Sequence, residues 1–123
     1  MVEAGSPLGP MPITVSAAAN ERYWRAAGLD HALLRDGWLY PAVAANLTIL
    51  LFQTACSTPV LHAAQRLVCH TKGRSGSELT VTGSVAERYE KRGRAYAVVE
   101  ADVRLPGDEL LWTSIATFTP VAP

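Results

Sequence analysis

The hydrophobic and polar positions divide the chain into a helical first part and a strand-like second part. Residues 37–56, GWLYPAVAANLTILLFQTAC, are apolar almost throughout and are interrupted by Asn46, Thr48 and Gln53. A membrane-spanning helix needs about 20 predominantly apolar residues, which this segment does not supply. A helix that is apolar on nearly all sides must then be covered by protein. The pattern predicts a central helix over 41–55 that the rest of the fold encloses.

After Pro59 the hydrophobic period changes to the period of two that is typical of strands. Leu79, Val81 and Val85 alternate with polar residues, as in a strand with one buried face. Glycine-containing segments mark the turns between such stretches. The alternation predicts a meander of four long strands, placed at 60–70, 78–90, 95–105 and 110–120.

The N-terminal part predicts a short extended stretch over 12–15 and then one amphipathic helix in SAAANERYWRAAG. Ser16 or Asn20 is a suitable N-cap, and Gly28 is suited to end the helix in the left-handed conformation. Pro41 fits the first position of the central helix, where its missing N–H costs nothing. One antiparallel sheet with a single apolar helix to cover it predicts an α+β domain.

Length, charge and cysteine content narrow the class of protein. A chain of 123 residues is long enough for one buried core, and its 11 basic and 11 acidic residues give no net field for nucleic acid or an anionic membrane. Cys56 and Cys69 form no CxxC pair, so we expect free thiols in a reducing, cytoplasmic compartment. Residues 1–12 do not resemble a secretory signal, and we interpret them as a flexible leader before a domain at 13–123.

The stretch ELTVTGSVAERYEKRGRAYAVVEADVRLPGDELLWTSIATFTP, residues 78–120, resembles the C-terminal half of MaoC-like hot-dog proteins. This family contains (R)-specific enoyl-thioester hydratases and β-hydroxyacyl-thioester dehydratases. NERYWRAAG and GWLYPAVAAN resemble the family's short helix and its entry into the central helix, so the resemblance runs from Ile13 onward. It implies a curved sheet wrapped around the central helix. It also implies an acyl thioester substrate on coenzyme A or the phosphopantetheine of an acyl carrier protein, with no further cofactor.

The family's catalytic pair is absent in its usual form. Catalytic members carry an Asp followed about five residues later by a His, just before the central helix. Here Asp30 and His31 are adjacent, and Asp36 follows His31 in the reversed order. The reaction requires a base and an acid that meet one substrate. His31 and Asp36 are therefore the candidate catalytic pair, and the alternative is that Asp36 lies in a turn before Gly37 while His31 is a surface residue.

The start of the central helix is the candidate substrate-binding site. Free N–H groups in the first turn and the helix dipole favour a thioester carbonyl that develops negative charge. Pro41 removes one donor, which leaves Ala42 and Val43, with Tyr40 beside them. Asn46 is either a ligand of the substrate carbonyl or water, or a buried amide that satisfies neighbouring backbone.

Two sets of cationic or imidazole side chains remain. Six basic residues fall in or beside turns and are candidates to contact phosphate or an acidic carrier protein, the alternative being solvated hairpin ends: Lys72, Arg74, Arg88, Lys91, Arg92 and Arg94. His62, Arg66 and His70 are predicted to share one strand face. His62 and His70 would be roughly 26 Å apart, so they cannot bind one metal.

The sequence therefore favours a dehydratase or hydratase type of protein that acts on, or holds, an acyl thioester. Because the resemblance implies paired domains, we expect a homodimer or, preferably, a heteromer whose other subunit carries the missing Asp and His. Two alternatives remain open: a thioesterase that uses Asn46 and Tyr40, and a non-catalytic binding or assembly subunit. No metal, nucleic-acid or membrane-spanning role is expected.

Overall fold

The computed structural model describes residues 3–28 and 36–121, which form two helices and a five-stranded antiparallel sheet. The predicted α+β class is confirmed. The elements in chain order are β1 Pro7–Thr14, α1 Ala17–Ala26, α2 Val43–Gln53, β2 Val60–Cys69, β3 Glu78–Lys91, β4 Arg94–Arg104 and β5 Leu110–Pro120.

The strands lie in the order β1-β3-β4-β5-β2. The strands β3, β4 and β5 form the predicted meander, but β2 pairs with β5 at the far edge rather than with β3. The predicted four-strand meander is therefore wrong at its first strand. Alternation of side chains identifies a strand and its buried face, but it does not identify the strand's neighbour.

Helix α2 packs on the concave face of the sheet, so the predicted cover by protein is present on its sheet-facing side. Leu47, Leu51 and Phe52 of this helix are buried, and the Phe52 ring stacks on Phe118 with centroids 5.2 Å apart. The opposite side of α2 stays open, since Leu50 is 44% exposed. The strands contribute to this core the buried side chains of Leu79, Val81, Val85, Val99, Val103, Trp112 and Phe118.

Local hydrogen bonds determine the residue at which each helix begins. Ser16 is the N-cap of α1, because its Oγ accepts from the Ala19 N–H at 3.1 Å; the alternative cap, Asn20, lies inside the helix. Gly28, with a φ of 74°, ends α1 as expected. Helix α2 begins at Val43 rather than at Pro41, because residues 40–42 form a tighter turn before it. In the described part of the chain neither helix has the length and apolar character needed to cross a membrane.

Strand β1 begins at Pro7, so the sheet takes up half of the segment predicted as a flexible leader. The predicted boundary at Ile13 falls inside this strand. A bulge between Leu8 and Met11 carries Gly9 at a φ of 79°, and a Cβ there would stand 2.6 Å from the Val81 carbonyl oxygen. Proline and glycine at these positions hide the alternation that would otherwise have identified the strand.

A second bulge changes the faces of β2. The pairing of β2 with β5 shifts between His62 and Ala64, so that His62 lies opposite Phe118 on the concave side while Arg66 lies opposite Ile115 on the convex side. The prediction that His62, Arg66 and His70 share a face is wrong for His62. One extra residue in a strand reverses the facing of every side chain beyond it.

Candidate functional site

An apolar pocket of about 170 Å³ lies in front of α2, where the incoming chain crosses the ends of β2 and β5. The chain contains three tryptophans, and all three line this pocket although they come from distant parts of the sequence. The lining residues are Trp24, Trp38, Leu39, Pro41, Cys69, Thr71, Lys72, Gly73 and Trp112.

Asn20 fixes the segment that forms one wall of this pocket. Its side-chain amide donates to the Trp38 carbonyl oxygen at 2.9 Å, and its own carbonyl oxygen accepts from the Tyr40 N–H at 2.9 Å. The Trp24 indole N–H also donates to the Trp38 carbonyl at 2.9 Å. Asn20 is only 2% exposed, so its amide satisfies both polar groups of this turn away from water.

Two cations stand over Trp38 at the rim of the pocket. The Arg74 guanidinium lies 4.2 Å and the Lys72 ammonium 5.5 Å from the ring centroid, distances at which a cation is attracted to an aromatic ring. The Leu39 N–H donates to the Gly73 carbonyl at 2.7 Å, which holds the loop between β2 and β3 against the pocket wall. Both basic side chains are exposed, and Lys72 belongs to the pocket lining.

The start of α2 offers one free backbone donor. Val43 and Ala44 donate their N–H groups to the carbonyls of Tyr40 and Pro41 at 3.2 and 3.0 Å, and Ala45 donates to Ala42. The Ala42 N–H has no acceptor within the described ranges. The predicted donor pair thus reduces to Ala42, which is the residue after the lining residue Pro41.

The structure describes only one member of the candidate catalytic pair, Asp36. His31 lies outside the described residues. Asp36 is exposed in the turn before Gly37, and its backbone carbonyl accepts from Arg74 Nη1, as the alternative interpretation expects. Within residues 3–28 and 36–121 the pocket has no His, Asp or Glu in its lining, and no cluster of three or more metal-ligating side chains exists.

Tyr40 and Asn46 each contact a side chain of α1. The Tyr40 ring is half-buried and meets the Trp24 ring edge-on at 5.0 Å. Asn46 is exposed, one helical turn beyond Ala42, and its amide is 3.4 Å from the Tyr23 hydroxyl. The alternative that Asn46 is a buried structural amide is therefore wrong. Its proposed contact with substrate stays a prediction.

The cationic hairpin lies at the other end of the sheet. Arg94 is already used, because its guanidinium donates to Thr119 Oγ1 at 3.2 Å and to the Pro120 carbonyl at 3.1 Å. The remaining predicted phosphate contacts of this hairpin are exposed: Arg88, Lys91 and Arg92. Arg94 is separated along β4 from Val103, the partner of Trp112, by roughly 30 Å at about 3.3 Å per residue. Within one chain the hairpin therefore does not reach the pocket.

A hydrogen-bond relay, which the sequence did not reveal, joins the β2 edge to α2. It consists of His62, Gln65, Ser114 and Thr48. His62 Nε2 is 2.8 Å from Gln65 Oε1, and Gln65 Nε2 donates to Ser114 Oγ at 2.7 Å. Ser114 Oγ lies 2.7 Å from Thr48 Oγ1. Thr48 and Ser114 are both fully buried, so the relay carries polar groups into an otherwise apolar core.

The donors and acceptors of this relay have a fixed direction. Thr48 Oγ1 is 2.7 Å from the Ala44 carbonyl, which can only accept, so the single Thr48 hydroxyl proton points there. Ser114 must then donate to Thr48 and accept from Gln65. His62 correspondingly donates from Nε2 to Gln65. The one signal in the sequence was a threonine at a buried position of an apolar helix.

Comparison with known proteins supports the fold but identifies no relative of similar sequence. No protein-family model matches the chain, and no curated protein matches it by sequence. Among solved structures, the HadBC (3R-hydroxyacyl-ACP dehydratase) complex from Mycobacterium tuberculosis is similar at a TM-score of 0.79 and 16% identity, covering 94% of this chain and 96% of that one.

Two further solved structures have a similar fold. The (R)-hydratase from A. caviae involved in PHA biosynthesis has a TM-score of 0.73 at 17% identity, with 95% of this chain and 96% of that one covered. The MaoC-like dehydratase from Rhodospirillum rubrum has a TM-score of 0.71 at 20% identity, with 97% and 92% covered. The chain therefore has the hot-dog fold of these proteins, and the fold prediction made from the resemblance is confirmed.

Proposed function

We propose that this chain is a hot-dog subunit that holds an acyl thioester, carried by coenzyme A or an acyl carrier protein, for a hydratase or dehydratase reaction. The observation that carries the proposal is an apolar pocket whose wall ends at Pro41, next to the free Ala42 N–H at the start of α2. Such a donor favours a carbonyl oxygen that gains negative charge.

The chemistry assigns separate roles to this chain and to a partner. In hydration of an enoyl thioester, a base takes a proton from water, the oxygen adds to the β carbon, and an acid delivers a proton to the α carbon. Negative charge gathers meanwhile on the thioester oxygen, where the Ala42 N–H and Asn46 are the proposed donors. Because the described part of the pocket has no His, Asp or Glu in its lining, we assign the Asp and His to a second subunit.

The edge strand β2 is the proposed contact with that subunit. It is ten residues long, nearly all of it is exposed, and Leu61 and Val68 are 49% and 39% exposed on it. An uncovered edge of this length is a template for pairing with another strand. The dehydratase from Mycobacterium tuberculosis is itself a complex, which supports a heteromer; a homodimer is the other arrangement.

A reducing compartment, and hence the cytoplasm, is the proposed location. Cys56 and Cys69 are both free thiols, one buried and one exposed. Free thiols on an exposed surface persist where thioredoxin and glutathione keep them reduced.

The experiment that tests the proposal is mass measurement of the native complex from its source, followed by a hydration assay on crotonyl and longer enoyl thioesters. We expect hydration by the complex and none by the chain alone. Hydration by the chain alone, lost both in His31→Ala and in Asp36→Ala with acyl binding intact, would instead identify His31 and Asp36 as the catalytic pair. Release of free thiol from a saturated acyl-CoA would identify a thioesterase, and no turnover by any complex would identify a non-catalytic subunit.

A further inference from the structure

The pocket in front of α2 has a definite size. Its volume of about 170 Å³ is close to that of apolar cavities of about 150 Å³ that stay dry and bind benzene. A ring or a chain of a few carbon atoms fills such a space. A long fatty chain does not.

The walls of the pocket cannot recede without unpacking the core. Trp24 and Trp112 are 3% and 1% exposed, so protein already packs behind them. Below Gly73 the space is also full, since a Cβ on that residue would meet the side chains of Leu105 and Leu111 at 3.0 and 3.1 Å. A longer acyl chain would have to displace these groups, at the cost of close-packed contacts.

The rim of the pocket is positively charged. Lys72 belongs to the lining, and Arg74 lies on the same Trp38 ring. Within the described ranges neither cation has a carboxylate partner, and the hydrogen bond of Arg74 goes to the Asp36 backbone carbonyl. No carboxylate of these ranges therefore pairs with them, and they complement an anion that approaches the pocket.

We infer that this pocket takes a short or ring-bearing acyl group, with the anionic phosphate arm of its thioester leaving across Lys72 and Arg74. The inference rests on the proposed function and adds the acyl size and the cations that receive the carrier. Of the cations predicted to contact phosphate, it selects Lys72 and Arg74 rather than Lys91 and Arg92 of the distant hairpin.

The acyl size is tested by titration with neutral N-acetylcysteamine thioesters while tryptophan fluorescence is recorded. Since all three tryptophans line the pocket, occupancy changes the emission. Affinity should rise from acetyl to hexanoyl or benzoyl and gain nothing further at dodecanoyl. Ligand should also slow alkylation of the exposed Cys69 by iodoacetamide, while the buried Cys56 is the internal control.

A matched pair of variants separates pocket filling from a general effect on β2. Cys69 lines the pocket, and Val68 beside it faces the convex side, opposite Thr113. Cys69→Phe should weaken hexanoyl or benzoyl binding about tenfold or more, because the ring occupies the space of the ligand. Val68→Phe should leave binding of the same thioesters unchanged. Both positions are exposed, so neither variant threatens folding.

The charge assignment is tested by comparing hexanoyl-CoA with the neutral hexanoyl thioester. Lys72→Gln should weaken binding of hexanoyl-CoA about three- to tenfold more than binding of the neutral thioester, whereas Lys91→Gln should affect neither. An effect of Lys91→Gln without one of Lys72→Gln overturns the rim assignment.

The outcomes separate this inference from the proposed function. Clearly tighter binding of dodecanoyl than of hexanoyl, or unchanged binding in Cys69→Phe, overturns the short-acyl inference and leaves thioester binding standing. If no acyl thioester of any length alters fluorescence or Cys69 alkylation, both the inference and the proposed function fall.

Discussion

The two sides of α2 differ in how completely the protein covers them. Towards β3 and β4 the helix meets Leu79, Val81 and Val99, which have no exposed surface. Towards β2 it meets the exposed His62 and Gln65 of the concave face and presents its own Leu50 to water. The closed side is fully buried in the hydrophobic core. The open side holds the buried relay and the exposed edge strand, and is where we place the second subunit.

The largest effect is expected from breaking the closed side. Leu51→Ala removes a fully buried side chain of α2 and should lower the free energy of unfolding by about 2–5 kcal/mol. The control is Leu50→Ala, one residue earlier and on the open side, which should cost the isolated chain about 0.5 kcal/mol or less. Urea unfolding of the isolated chain measures both. Equal losses at the two positions would contradict the difference between the sides.

An intermediate effect is expected where the relay enters the core. Thr48→Val removes the acceptor of the Ser114 hydroxyl and should destabilise the chain by about 1–3 kcal/mol. Ser114→Ala should cost a similar amount, and the double variant clearly less than the sum, because both changes remove the same bond. Thr117→Val, on the convex face of β5, is the control and should change stability by no more than about 0.5 kcal/mol. Strict additivity in the double variant would exclude the relay.

The smallest effect on stability, and the sharpest on assembly, is expected at the β2 edge. Leu61→Lys places a charge on an exposed residue and should change the unfolding free energy of the isolated chain by about 0.5 kcal/mol or less. The same variant should weaken pairing of the edge with another strand. Analytical ultracentrifugation measures the mass of the assembly. The control is Tyr89→Lys, at an exposed residue of β3. An unchanged assembly in Leu61→Lys places the partner elsewhere.

Much of the fold could be predicted because alternation is a local property. The strand predicted at 78–90 is observed as Glu78–Lys91, and the one predicted at 110–120 as Leu110–Pro120. The neighbour of β2 could not be predicted, since pairing depends on contacts far apart in the sequence. The bulge after His62 and the start of β1 could not be predicted for a related reason. Each depends on pairing with the opposite strand, which the local sequence does not specify.

Less of the candidate site could be predicted. The helix start was identified, and Ala42 remains a donor there, but the turn that uses the Val43 N–H follows from backbone geometry that a sequence does not display. The pocket could not be found at all, because Trp24, Trp38 and Trp112 approach one another only in the fold. No periodicity relates residues on a helix, a turn and a distant strand.

The strand order also has a consequence for how the chain reaches this structure. The central strands β3, β4 and β5 follow one another through short turns, whereas the edges pair over long separations, as where Pro7 meets Ser84. Closing long loops costs entropy before the contacts compensate for it, so local hairpins form more readily than distant pairs. The sheet is therefore expected to assemble from its centre outwards. Its last strands to dock are β1 and β2, and β2 is the edge assigned to the partner.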